Sequence, residues 1–189
     1  MVSLKYAKEY RLDTFTDERG KVKDCTVYIG PLYEWTSPKE QLKKYALLLT
    51  LMTAVQSFLL VFSLWNYSDL TKLWWVTLPF SSILFVCLFL GAVCYNLFTV
   101  RGQFHREQKD KTIDRLKATS VMGIIFTGTT AMSAFPSMFL EFIKLGVWDI
   151  FFVASDLTML VLFILEFRMA GRLEAKEVPN PQAEIWKDK

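Results

Sequence analysis

The 189-residue chain reads as an all-α membrane protein. The expected fold is a four-transmembrane-helix bundle with both termini inside and a small cytoplasmic N-terminal β-hairpin. Three observations predict it. Apolar residues gather into four long runs between positions 45 and 167, although the overall hydrophobic fraction of 52% is close to that of a soluble protein. Lys and Arg crowd the two ends and one central loop. Tryptophans fall where the runs end on the other side. This distribution excludes a soluble globule, a disulfide scaffold and a disordered tail protein.

A hydrocarbon core of about 30 Å needs roughly 20 mostly apolar helical residues. The first span is expected at 45–65, with Thr50, Thr53, Gln56, Ser57 and Ser63 as neutral polar members. The second, at 73–100, has no charge and is long for the bilayer, which implies tilt or projection. The third runs over 121–145 and the fourth over 150–167. The chain thus divides into a cytoplasmic N-terminal segment (1–36), a transmembrane domain (37–170) with a basic cytoplasmic loop (101–120), and a cytoplasmic tail (171–189).

Orientation follows from the bases. Nine Lys and Arg precede the first span, six lie in the loop at 101–120 and five in the tail, against Lys72 and Lys144 alone on the other side. Trp65, Tyr67, Trp74, Trp75 and Trp148 fall at the expected outer interface, where amphipathic rings favour the headgroup layer. No signal peptide is expected, because over forty polar residues precede the first span, which must itself direct insertion.

Residues 9–29 read as a β-hairpin. Glu9 to Thr16 and Val22 to Ile29 carry Thr, Val, Tyr and Phe, and Asp17-Glu18-Arg19-Gly20 supplies the turn. Gly30-Pro31 ends the second strand. Ser37, Pro38 and Glu40 then suggest an N-cap, a first helical residue and a capping-box partner. A two-stranded hairpin is marginal alone in water, so it needs a surface, either its own helices or a partner. Tyr28 and Ile29 on the second strand and Trp186 in the tail are the candidate docking residues. The loop at 101–120 nets +3, and Arg106/Asp110 and Glu107/Lys111 stand at i,i+4 spacing.

Asp156 is the one charge well inside an expected span. An intramembrane carboxyl is costly and is a functional-site hypothesis by default. Gly123, Thr127, Thr130, Ala134 and Ser137 recur at steps of four and three, placing them on one face of the third span. Asp156 with Thr127, Thr130, Ser133 and Ser137 is therefore the candidate intramembrane polar site. Glu141, Lys144 and Asp149 form its candidate outer rim, with Gly146 closing the third helix and Asp149 capping the fourth. Either the stripe packs helices closely and its hydroxyls satisfy Asp156, or it lines a path for a proton, cation or small solute. Gln56 reads as an interhelical hydrogen bond, and Glu166 as a carboxylate solvated at the cytoplasmic interface beside Arg168. Cys87, Gly91 and Cys94 share a face and read as helix packing.

His105 has no companion at metal-ligand spacing, and the sequence holds no H-E-x-x-H, G-x-S-x-G, P-loop or G-x-G-x-x-G. No enzyme activity, cofactor or metal is expected. The expected function is a non-catalytic accessory, assembly or regulatory subunit of a larger membrane complex such as a transporter. The alternative is a small oligomeric transporter or channel with Asp156 as its proton or ion site. The expected partners are the lipid bilayer and a larger membrane protein or further copies of the chain, with no nucleic acid. The expected location is the plasma membrane.

Overall fold

The computed structural model describes residues 4–16, 22–66, 68–100, 102–139, 146–181 and 183. Two strands open the chain, β1 (Tyr10–Thr16) and β2 (Val22–Tyr28), after a 3-10 helix at Leu4–Glu9. β3 (Leu32–Trp35) leads into α1 (Lys39–Trp65), and a 3-10 turn at Asp69–Lys72 joins this to α2 (Trp74–Thr99). β4 (Gln103–His105) precedes α3 (Arg106–Lys109), which passes through a π-helical turn at Asp110–Asp114 into α4 (Arg115–Phe139). α5 (Val147–Arg172) and β5 (Ala175–Val178) close the chain.

Four helices are long and apolar enough to cross a membrane. They occupy the four expected runs, with a difference at the third. There the helix is continuous from Arg106 to Met138, so it starts well before the apolar residues do. A π turn carries its polar foot through Asp110–Asp114, and the Thr112 hydroxyl donates to the carbonyls of Gln108 and Lys109. α1 likewise starts ahead of its apolar run. Pro38 itself is its N-cap, with no side-chain cap bond, so the expected Ser37–Glu40 capping box does not form. Pro38 already sets the backbone angle there, and its missing N–H is one the helix start leaves unpaired anyway.

α4 packs most extensively, against α5 on one side and α2 on the other, while α1 leans on α2 and α5. Leu60, Phe80, Ile83, Leu90, Leu116, Phe152, Met159 and Phe163 fill the interior. The Phe80 and Phe152 rings meet with centroids 4.5 Å apart. Gly123 shows why α4 and α5 sit so close. A Cβ there would overlap the Phe163 ring, so only a hydrogen leaves room. Large apolar side chains also cover the outside, among them Leu47, Leu51, Phe58, Leu84, Phe85, Leu88 and Ile125. In lipid such a surface would carry no penalty, and close packing rather than burial from water would hold the helices together. Trp65, Trp74, Trp75 and Trp148 are exposed or half-exposed at the helix ends away from the sheets.

The hairpin forms as expected from its pattern, β1 pairing antiparallel with β2 from Tyr10↔Tyr28 to Thr16↔Val22. Its turn lies outside the described residues. A second sheet was not foreseen. β3 stands between β4 and β5, pairing Leu32 with His105 on one side and with Val178 on the other. Three distant stretches of chain, the N-terminal segment, the loop between the second and third spans and the tail, are thereby knit into one layer at the same end of the bundle. Gly102, at φ +69°, makes the turn into β4. Phe104 is buried beneath the layer, with Trp35 4.8 Å away.

Candidate functional site

α5 carries the polar residues that matter most. Its inward face repeats as Phe152, Ser155/Asp156, Met159, Phe163, Glu166 and Ala170, all buried. Asp156 is 2% exposed, and one of its carboxyl oxygens has no hydrogen-bond partner among the described residues. Glu166 is wholly buried, and neither of its carboxyl oxygens has a hydrogen-bond partner among the described residues. This overturns the expectation that Glu166 is solvated at an interface. The spacing 152, 159, 163, 166 places it on the core face of α5, and helix periodicity outweighs the nearness of Arg168 in the sequence. That periodicity was the available signal for it.

Gln56 on α1 is wholly buried too. Its amide neighbours the Glu166 carboxyl, yet the two fall short of hydrogen-bonding geometry, leaving both amide atoms unpaired. Ser63, Ser120 and Ser155 hold further buried hydroxyls without partners among the described residues.

The hydroxyls expected around Asp156 behave otherwise. Thr127 donates to the Gly123 carbonyl (2.8 Å), Thr130 to Phe126 (2.9 Å), Ser133 to Thr129 (2.8 Å) and Ser137 to Ser133 (2.8 Å), each within its own helix. Thr127, Thr130 and Ser137 are buried, while Ser133 is half-exposed. The stripe therefore lines the α4 interface as expected, but its protons are given to carbonyls four residues back rather than to Asp156. Ser137 also accepts a long bond from the Trp75 indole (3.4 Å).

Asp149 is not a rim residue. It is 2% exposed, and its carboxylate accepts from the Ser68 hydroxyl (2.6 Å), the Leu70 N–H (3.3 Å) and the Gly146 N–H (2.8 Å). From the third position of α5 it thus accepts the N–H of the N-cap residue Gly146, which takes the place expected for Asp149, and it ties the α1–α2 connection to the helix start. Glu141 and Lys144, the other rim residues, lie outside the described residues, as does Trp186.

Tyr28 is a correction as well. Instead of offering a docking surface it is buried, because three elements converge on it. Its hydroxyl donates toward the Pro31 carbonyl (2.9 Å) and Glu9 (3.0 Å) and accepts from the Arg106 N–H (3.2 Å). Its ring stacks on His105 at 3.9 Å. Burial raises the phenol above its ordinary value, and burial lowers His105. Ile29 is half-buried and donates its N–H to the Glu9 carbonyl (2.8 Å). Asn180 in the tail donates to the carbonyls of Tyr28 (3.0 Å) and Gly30 (2.9 Å). Lys5 and Tyr6 clasp Asp110 at the π turn at 2.7 and 2.6 Å. The hairpin root therefore docks on the chain's own helices and tail.

Among the described residues no three His, Cys, Asp or Glu side chains stand close enough to hold a metal ion. No known family, curated protein or solved structure matches the chain.

Proposed function

We propose that this chain is a multi-pass protein of the plasma membrane, with both termini in the cytosol. It acts there as a non-catalytic accessory, assembly or regulatory subunit of a larger membrane complex, a transporter being the partner class in view. The hairpin arm carries the reading. Its root is anchored through Tyr28, Glu9 and Tyr10, but β1 and β2 form a sheet of their own, with no third strand among the described residues. Beyond the root, Leu12 is 77% exposed and Val22 69% exposed. Such an arm offers free edges for strand addition and gains stability when they are covered. The bias of Lys and Arg toward the sheet-bearing end supports the orientation.

The test shortens the arm without touching its root. Residues 12–26 are replaced by Asn-Gly, a two-residue turn joining the Arg11↔Val27 pair. Tagged full-length and shortened proteins are extracted in mild detergent, and particle mass and co-purifying proteins are compared. A stoichiometric larger membrane protein that leaves with the arm is expected. A clean homo-oligomer, or a partner retained without the arm, would overturn the reading.

A second reading has an observation of its own. Asp156 and Glu166 lie inside the bundle with unpaired carboxyl oxygens, as a proton or ion site in a small oligomeric transporter would require. If Asp156→Asn abolishes a flux in reconstituted vesicles while assembly survives, transport replaces the subunit reading.

A further inference from the structure

α1 and α2 part at the sheet-bearing end of the bundle. The opening is a cleft of about 490 Å³, lined by Leu42, Ala46 and Leu47 of α1 and Leu97 and Phe98 of α2, with Trp35 at its top. Lys39 and Lys43 stand in its wall at the mouth. Both are exposed, and neither makes an ion pair with a described residue, although Glu40 lies between them in sequence. A second cleft of about 430 Å³ shares Phe98 and continues away from the sheets past Thr50, Ala54, Ser57, Cys87 and Gly91. A Cβ on Gly91 would meet nothing within 4 Å, so the groove floor is open there.

We propose that this groove holds one anionic phospholipid, its phosphate on Lys39 and Lys43 and one acyl chain along the α1–α2 seam. The proposal rests on the membrane reading but not on the accessory-subunit role. From Lys43 to Ser57 the groove spans about 21 Å at 1.5 Å per helical residue. One leaflet of hydrocarbon is roughly 15 Å deep, half of a core of about 30 Å. The lysines thus stand at headgroup height while Ser57 and Cys87 lie near the bilayer centre. Two unpaired ammonium groups over an apolar slot complement an anionic head with a chain attached. They do not complement a second copy of this basic groove, and a free phosphate would leave the slot empty.

Native mass spectrometry of the full chain in mild detergent tests this, with dioleoylphosphatidylglycerol or dioleoylphosphatidylcholine titrated in. One phosphatidylglycerol per chain is expected, held about tenfold or more tighter than phosphatidylcholine. Lys39→Gln with Lys43→Gln should erase the preference. Lys44→Gln, which removes an adjacent charge outside the groove, should leave it within about twofold. Gly91→Leu, placed in open space, should lower occupancy by both lipids with the melting temperature unchanged, and glycerol 1-phosphate should not displace the bound lipid. Equal binding of the two lipids would overturn the proposal, as would an equal effect of Lys44→Gln or a silent Gly91→Leu. A dimer that Gly91→Leu dissociates would make a second copy the occupant instead. Recovery of the chain in the soluble fraction would overturn the membrane reading itself.

Discussion

Replacing Glu166 by Met should make the protein more stable. Both carboxyl oxygens of Glu166 are buried without a partner, and so are both polar atoms of the Gln56 amide beside it. A buried donor or acceptor left unmade costs about 1–3 kcal/mol. Met is unbranched and of similar reach, and a near volume-conserving exchange in a packed interior costs under about 1.5 kcal/mol. The net expected for Glu166→Met is a gain of about 1–2 kcal/mol. In a chain of this length that is a rise of about 2–8 °C in melting temperature. Thermal unfolding in detergent, followed by circular dichroism, reads it directly. Gln56→Met alone should give a similar gain, because it too removes buried polar atoms without losing a hydrogen bond. Destabilisation by Glu166→Met, with strong coupling to Gln56, would refute the reasoning. It would mean that the pair is a structural hydrogen bond after all. A gain in stability together with a loss of function would instead mark Glu166 as a site whose cost is retained for activity.

Asp149→Ala should cost about 2–4 kcal/mol by the same unfolding assay, since it strands the Gly146 N–H and the Ser68 hydroxyl proton and leaves the Leu70 N–H with the Ser68 oxygen alone; a near-neutral result would show that the carboxylate does not hold the α5 start. Gly123→Ala should cost about 1–3 kcal/mol through overlap with Phe163, and adding Phe163→Leu should recover part of it; equal losses in single and double variants would place the strain elsewhere. Burial holds His105 below its ordinary 6.5, against the pull of Glu107 and Glu9. The unfolded chain therefore takes up the proton first on acidification. Stability of the sheet end should be full above pH 6.5 and fall as pH drops below it, levelling off beneath the folded value. Amide exchange of β3 and β4 between pH 7.5 and 5 checks the sign, and His105→Gln should flatten the profile.

Legibility in the sequence followed the length over which a pattern repeats. The four long helices were legible because twenty apolar residues outweigh any local ambiguity. The hairpin was legible because seven-residue strands alternate and share a turn. β3, β4 and β5 were not. They have three or four residues each, and their partners lie up to 146 positions away, as with Leu32 and Val178. No short-range signal reports such pairing. Tyr28 was misread for the same reason. It belongs to the exposed hairpin in sequence, and only the return of His105, Arg106 and Asn180 buries it. Asp149 is neither the expected N-cap nor a rim residue: Gly146 takes the N-cap place, Asp149 closes back on it from the third helical position, and Ser68 and Leu70 reach it from another connection.

The polar residues inside the helices divide by what a helix backbone can accept. A Ser or Thr hydroxyl has a proton to donate, and the carbonyl four residues earlier is always in reach. Thr53, Thr127, Thr130 and Ser137 take that route and leave their helices electrically quiet. A carboxylate has no such outlet, because it accepts and the backbone groups facing it mid-helix also accept. Its donors must come from another element. Around Asp156 the stripe on α4 has already given its protons to its own carbonyls. The small-residue stripe and the buried carboxyls are therefore separate features, and the Glu166 carboxyl neighbours Gln56 of α1 instead. The stripe explains how closely α4 and α5 approach and needs no ligand. Asp156 and Glu166 are explained by neither packing nor hydrogen bonding in the described residues.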